Sequence, residues 1–251
     1  MAPASPTVWA VIPARFAATR LPGKPLVTLV GKPMIQRVWE RVKLAKKITK
    51  VVVATEDERI RSAVEAFGGE AVMTRADHRS GTARIAEVAA NSSADIYINV
   101  QGDEPLVAPQ AVDTLVDTIT EDANVQLATL AVPLTNPADI MDTHIVKVVL
   151  DFEGDALYFS RAPIPWVRDT GNSVHARHLK HLGLYGYRRD ALLDYDTLPP
   201  GDLERVEQLE QLRWLENGYK MRVAETEFDS VSVDVPDDVP RVEELIRKSA
   251  A

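Results

Sequence analysis

Short apolar runs and amphipathic stretches take turns along the first half of the chain. Residues 8–12 (V-W-A-V-I) are continuously apolar, the pattern of a strand buried on both faces. Pro13 follows; with no N–H to donate, it is expected to stop the ladder. Ile35, Val38, Val42 and Ala45 recur at helical spacing, which predicts a helix over 33–46. Residues 50–55 (K-V-V-V-A-T) predict a second buried strand, and 59–67 a helix ended by Gly68-Gly69. A strand over 70–73, a helix over 82–90, a strand over 94–101 and a helix over 109–120 continue the alternation.

This pattern predicts an α/β fold, a Rossmann-like, mostly parallel sheet flanked by helices. The second half reads differently. A strand is expected over 125–133, a hairpin from 145–150 and 156–159 around the turn Asp151-Phe152-Glu153-Gly154, and a strand over 178–187. Amphipathic helices over 203–216 and 236–248 follow, with strands at 220–224 and 230–233 between them. With no linker, repeat or low-complexity stretch, the expectation is one unit over 1–251 carrying an inserted antiparallel, substrate-covering part.

Composition narrows the chemistry. The 251 residues include no cysteine, which removes disulfides, thiolate nucleophiles and cysteine-based metal sites. No apolar run approaches membrane-span length and the polar start lacks a signal-peptide pattern, so the expected location is the cytoplasm, with no membrane partner. A net charge of -8 argues against nucleic acid as a partner. Against that acidic background, Arg15, Arg20 and Lys24 cluster in a loop just after the first strand, among small residues and a Pro-Gly-Lys-Pro turn. Such a loop at a strand's carboxyl end suits a phosphate-bearing ligand; the alternative is a solvated loop.

Other polar segments fall at strand ends in the same reading. Asp103, in Gly102-Asp103-Glu104-Pro105, could hold Mg²⁺ or merely shape a turn. Asp234 could join it or cap the helix expected to begin near Pro236. The stretch T-R-A-D-H-R-S-G-T over 74–82 offers hydroxyls and cations at a helix start, for base, ribose or phosphate contact or for capping by Ser80 or Thr82. His181 and Tyr185 share a strand face, Arg161 follows an apolar strand, and Glu210-Gln211 flank an apolar helix stripe made by Val206, Leu209, Leu212 and Leu215. Each of these also fits an ordinary structural residue.

Taken together, the motifs I-P-A-R-x-x-A-T-R-L-P-G-K-P-L, M-T-R-A-D-H-x-S-G-T, N-V-Q-G-D-E-P, V-K-V-V-L-D, A-L-Y-F-S-R-A-P-I-P-W, K-H-L-G-L-Y-G-Y-R and L-E-Q-L-R-W-L-E-N-G resemble the 3-deoxy-manno-octulosonate (Kdo) cytidylyltransferases, also called CMP-Kdo synthetases, over nearly the whole chain. The opening motif alone fits sugar nucleotidyltransferases broadly; the second-half motifs are the specific ones. The resemblance implies transfer of CMP from CTP to the anomeric hydroxyl of Kdo, with release of pyrophosphate, for lipopolysaccharide assembly. It implies Mg²⁺ as cofactor and a homodimer. It assigns nucleotide contacts to Ala14, Arg15, Lys24, Arg75, Ser80 and Gln101, sugar contacts to Gln101, Arg161, His181, Tyr185, Glu210 and Gln211, and metal ligation to Asp103 and Asp234. Arg15, Lys24, Asp103 and Asp234 are the implied catalytic set. Residues 8–124 would mainly bind nucleotide, 125–225 the sugar and the second subunit, and 226–251 would return a strand and the last helix. Thr55-Glu56-Asp57 stands where relatives often read Thr-Asp, and neither it nor the 169–177 segment receives a role.

Overall fold

A computed structural model of the chain describes residues 5–17, 20–168 and 177–249. The first half comprises β1 (Val8–Ala14), a 3-10 turn (Lys24–Leu26), β2 (Thr28–Leu29), β3 (Lys32–Pro33), α1 (Met34–Val42), β4 (Lys50–Thr55), α2 (Glu58–Ala66), β5 (Glu70–Met73), α3 (Gly81–Ala90), β6 (Ile96–Asn99) and α4 (Pro109–Thr120). The second comprises β7 (Leu127–Leu134), α5 (Pro137–Met141), β8 (Lys147–Leu150), β9 (Ala156–Ser160), β10 (His178–Arg188), α6 (Arg189–Asp194), α7 (Asp202–Glu207), α8 (Gln211–Glu216), β11 (Arg222–Glu225) and α9 (Asp238–Ser249). The Ala18-Thr19 pair of the opening motif and residues 169–176 of the unassigned segment lie outside the described residues. No helix among those described is long and apolar enough to cross a membrane.

The main sheet runs β11-β7-β10-β6-β1-β4-β5, and only the pairings of β10 with β6 and β7 are antiparallel along it. The Rossmann-like, mostly parallel sheet is therefore present. Side chains alternate across β1: Ala10 and Ile12 pack under α1, α2 and α4, whereas Val11 packs under α3, α6 and α8. Burial on both faces is why residues 8–12 carry no polar position. A smaller cluster joins Leu29 and Met34 to Val233, Val242 and Ile246, so α9 folds back over the start of the chain.

Four sequence expectations are corrected. Pro13 does not stop the ladder: β1 pairs with β4 through Pro13↔Ala54 and Ala14↔Thr55. In a parallel strand alternate residues bond to opposite neighbours; Val11 O accepts from Val100 N on the β6 side, so Pro13 faces that side, beyond the end of β6, and its missing N–H breaks no bond. The strand expected over 125–133 is not part of an appended antiparallel layer. It is β7, parallel to β11 in the main sheet, and the antiparallel elements are β10 within the sheet and the β8–β9 hairpin on its flank. The helix expected over 203–216 is broken into α7 and α8 by Gln208, which is left-handed at φ 55°. Val206, expected in the buried stripe, is exposed, while Leu209 and Leu212 are buried. Finally, residues 230–233 are not a strand; the alternation of Val231 and Val233 reflects packing against α9, and Val233 N bonds to Asp103 O at 2.9 Å.

Running antiparallel, β10 overshoots its neighbour β6. Tyr185 stands opposite Asn99, the last residue of β6, so residues 178–184 extend past the carboxyl end of β6. There β10 bulges: Leu182 pairs with Leu130 and Tyr185 with Thr129, leaving Gly183 and Leu184 over.

Gly102 sits where this region is tightest, since a Cβ there would lie 2.9 Å from Pro13 O. Gly102→Ala must displace backbone and is expected to lower stability by about 1–3 kcal/mol. An unchanged urea midpoint in that variant would show that the β1–β6 junction yields freely.

Candidate active site

The loop after β1 is closed by its own backbone. Gly23, left-handed at φ 69°, bonds to Phe16 O at 3.0 Å, and Lys24 N bonds to Leu21 O at 3.0 Å. From the neighbouring strand end, Glu56 Oε1 accepts Phe16 N at 3.1 Å. Its other oxygen lies 2.6 Å from Arg84 Nη2, an ion pair without hydrogen-bond alignment. Arg84 itself is 4% exposed, and burial holds its pKa below the ordinary guanidinium value. Arg15, Arg20, Lys24, Arg79 and Arg84 all line a cavity of about 350 Å³ in a protein of net charge -8. A dense positive lining in an acidic chain selects a compact, highly charged anion.

Three carboxylate residues, Asp103, Asp234 and Glu210, line the same cavity, and the first two meet on one cation. Lys24 Nζ lies 2.6 Å from Asp103 Oδ2 and 3.0 Å from Asp234 Oδ1, while Arg20 Nη2 also reaches Asp234 Oδ1 at 3.0 Å. The Val233 N to Asp103 O bond staples the two segments together. Asp234 does not cap α9. Asp238 Oδ2 instead accepts Asp234 N at 2.8 Å and Val235 N at 3.1 Å, fixing the backbone that carries the Asp234 carboxylate. No group of three or more His, Cys, Asp or Glu among the described residues could enclose a metal ion. Mg²⁺, however, commonly takes one or two protein carboxylates and completes its shell with water and phosphate. Two carboxylates converging on one cation fit that requirement.

A second cavity of about 780 Å³ adjoins the first, and Gln101, Asp103, Glu210 and Asp234 line both. Arg161, His181, Tyr185 and Gln211 line the second. Arg161 is held by Glu207, whose carboxylate accepts Arg161 N at 3.0 Å and Ser160 Oγ at 2.6 Å and whose carbonyl accepts Arg161 Nε at 3.0 Å. Beneath it, the fully buried Lys147 donates from Nζ to Asp142 O, Ile145 O and Arg161 O at 2.8, 2.6 and 2.6 Å. Gln101 Nε2 donates to Gly183 O at 3.1 Å, which leaves Oε1 as the side chain's acceptor. Glu210 Oε2 accepts Thr82 Oγ1 at 3.0 Å, and burial raises its pKa above the usual carboxylate range. Burial likewise pushes the Tyr185 phenol up and the His181 imidazole down to about 3, so both are neutral at physiological pH.

The structure thus brings Ala14, Arg15, Lys24, Ser80, Gln101, Asp103, Glu210 and Asp234 around the first cavity and Arg161, His181, Tyr185 and Gln211 around the second. Ser80 does two things at once: its Oγ caps α3 by accepting Ala83 N at 3.1 Å, and it lines the cavity. Arg75 is not brought in. Its backbone N is tied to Glu87 Oε2 at 3.0 Å, its Nε lies 3.6 Å from Asp77, and the side chain is mostly exposed. Glu56, Arg84 and Glu207 were not singled out from the sequence. Glu56 has a usable signal, being a carboxylate directly after the buried strand β4. Glu207 had none, because its reach to Arg161 depends on the break at Gln208.

Comparison with known proteins agrees with this geometry. A family model described as Cytidylyltransferase matches residues 9–223. The 3-deoxy-manno-octulosonate cytidylyltransferase of Solibacter usitatus is 52% identical over 95% of this chain and 94% of its own length. That of Syntrophotalea carbinolica is 51% identical over 96% of this chain and 99% of its own. A solved CMP:2-keto-3-deoxy-manno-octonic acid synthetase complexed with CTP superposes with a TM-score of 0.92 at 46% identity, covering 97% of this chain and 99% of its own. A cytidylyltransferase from Leptospira borgpetersenii, 18% identical with a TM-score of 0.65 over 96% of this chain and 87% of its own, shares the fold.

The buried imidazole makes a prediction about acid. A pKa lowered from 6.5 to about 3 means that His181 contributes stability in full above about pH 6.5 and loses it progressively as pH falls toward 3. Between pH 6 and 4, urea unfolding should show stability falling less steeply in His181→Asn than in the parent, by up to about 1.4 kcal/mol per pH unit. Equal slopes would show that the imidazole titrates alike in the folded and unfolded chain.

Proposed function

The chain belongs to the 3-deoxy-manno-octulosonate cytidylyltransferase family, and on that basis we propose that it transfers CMP from CTP to the anomeric hydroxyl of Kdo, releasing pyrophosphate. The observation that carries the reading is the junction of two cavities at Asp103 and Asp234, with five cations lining the first and Arg161, held by Glu207, lining the second beside His181 and Tyr185.

In this reading the triphosphate lies in the first cavity, on Arg15 and Lys24. Arg161, whose Nε and backbone N are occupied by Glu207 and whose Nη1 donates to Thr143 O at 3.3 Å, meets the sugar acid's carboxylate with its remaining N–H groups. His181, Tyr185 and Gln211 supply uncharged hydrogen-bonding groups to hydroxyls, and Gln101 spans both ligands. The anomeric oxygen bonds to the α-phosphorus as the bond to pyrophosphate breaks, and its proton passes to solvent water. Negative charge grows on the phosphoryl and departing oxygens, where fixed cations stabilise it more than in the ground state. Holding both substrates against one ridge converts a bimolecular encounter into an oriented one. Asp103 and Asp234 would hold Mg²⁺, which when bound supplies Lewis-acid stabilisation to the phosphate oxygens. Lys24 must then share or yield these carboxylates, and a phosphate is the natural new partner for its ammonium. A homodimer belongs to the same proposal; exposed Phe152, Leu157 and Trp166 on and beside the β8–β9 hairpin support it.

The direct test is pyrophosphate release from CTP and Mg²⁺ with Kdo; release only with an 8-amino analogue or a sialic acid would overturn the substrate. Asp103→Asn is expected to lower kcat by about a hundredfold or more while leaving the fold intact by circular dichroism. Arg161→Lys should raise the KM for the sugar acid by about ten- to a hundredfold with little change in that for CTP.

A further inference from the structure

Thr129 occupies the middle of β7, fully buried, opposite the bulge in β10. At the bulge the Thr129 hydroxyl meets two β10 carbonyls, lying 2.7 Å from Leu184 O and 3.3 Å from Leu182 O. The same oxygen lies 3.0 Å from His181 Nε2. Proton counting decides the directions. A hydroxyl has one hydrogen, and carbonyl oxygens can only accept, so the Thr129 proton is committed to the carbonyls. The 3.0 Å contact to His181 is then a hydrogen bond only if Nε2 carries the proton and the threonine oxygen accepts it. A neutral imidazole has one N–H, so Nδ1 is left with its lone pair. The ring stays neutral because it is buried against Phe159 and Tyr185, at centroid distances of 4.9 and 5.4 Å. Nδ1 has no hydrogen-bond partner among the described residues, and His181 lines the larger cavity.

We infer that Thr129 is a positioning residue for the sugar site: it fixes His181 as the Nε2–H tautomer, so that Nδ1 accepts a hydroxyl of the sugar acid. The inference rests on the proposed function for the identity of that ligand, while the tautomer itself follows from the protein alone. It assigns His181 as an acceptor, neither a partner for the carboxylate nor a proton donor. The site then sorts its ligand by polarity: Arg161 takes the anionic end and His181 demands an O–H.

Two measurements test it. In the ligand-free protein, a long-range ¹⁵N–¹H correlation spectrum should show His181 with protonated Nε2 and bare Nδ1 at pH 7. The opposite tautomer, or a charged ring, would overturn the inference, and this holds whether or not Kdo is the substrate. Kinetically, Thr129→Val removes the hydroxyl at nearly constant shape and should raise the KM for Kdo by up to about tenfold, with kcat and the KM for CTP unchanged. Thr129→Ser should restore the parent value. A rise shared equally by both substrates, or none in a folded valine variant, would refute the positioning role. Failure of the wild-type enzyme to turn over Kdo would refute the substrate reading and leave the spectrum to decide the tautomer.

Discussion

The convergence of Asp103 and Asp234 on one ammonium is the contact around which this structure is arranged. Two carboxylates from distant parts of the chain face each other across a cavity, and their repulsion is relieved by Lys24 at 2.6 and 3.0 Å. Each participant needs its own scaffold. Lys24 stands on a loop shut by Gly23, Asp103 follows a strand end where only glycine fits before it, and Asp234 stands on backbone held by Asp238. Such a cluster is strained toward exchange: any stronger cation or any competing anion redistributes its partners.

Much of the frame could be read from the pattern of residues. The boundaries of β4, β5 and α4 coincide with the expected spans, because buried strands and one-faced helices write their periods directly into side-chain polarity. The misreadings share a cause. The break at Gln208, the loose 230–233 segment and the passage of the ladder through Pro13 all depend on what a neighbour offers, and no local window contains the neighbour. Helical spacing over 203–216 holds for Leu212 and Leu215 in α8, whereas Leu209 is buried from the break itself and Val206 lies exposed on α7.

The candidate site was legible to different depths. The cations and carboxylates at strand ends followed from topology, since polar residues after buried strands collect at one edge of a parallel sheet. Their grouping into two cavities did not, and neither did the surface position of Arg75, whose backbone N is tied to Glu87. The residues that hold the lining in place were the least visible. Glu56, Glu207 and Thr129 act on a backbone N–H, a guanidinium and an imidazole that only the fold brings within reach. Burying such polar groups is tolerated because nearly every one is satisfied, which also makes each of them sensitive to removal.

The position of β10 has a consequence for how the chain assembles. β6 and β7 are consecutive strands, yet they are not neighbours; β10, from much later in the chain, lies between them. Until residue 188 has left the ribosome, β6 is an open apolar edge and β7 has no partner on that side. The halves of the sheet are therefore joined by a late, non-local pairing, the slow kind in folding kinetics. The second cavity is built along that seam, so a nascent or partly unfolded chain can present the cation loop long before it possesses the second cavity.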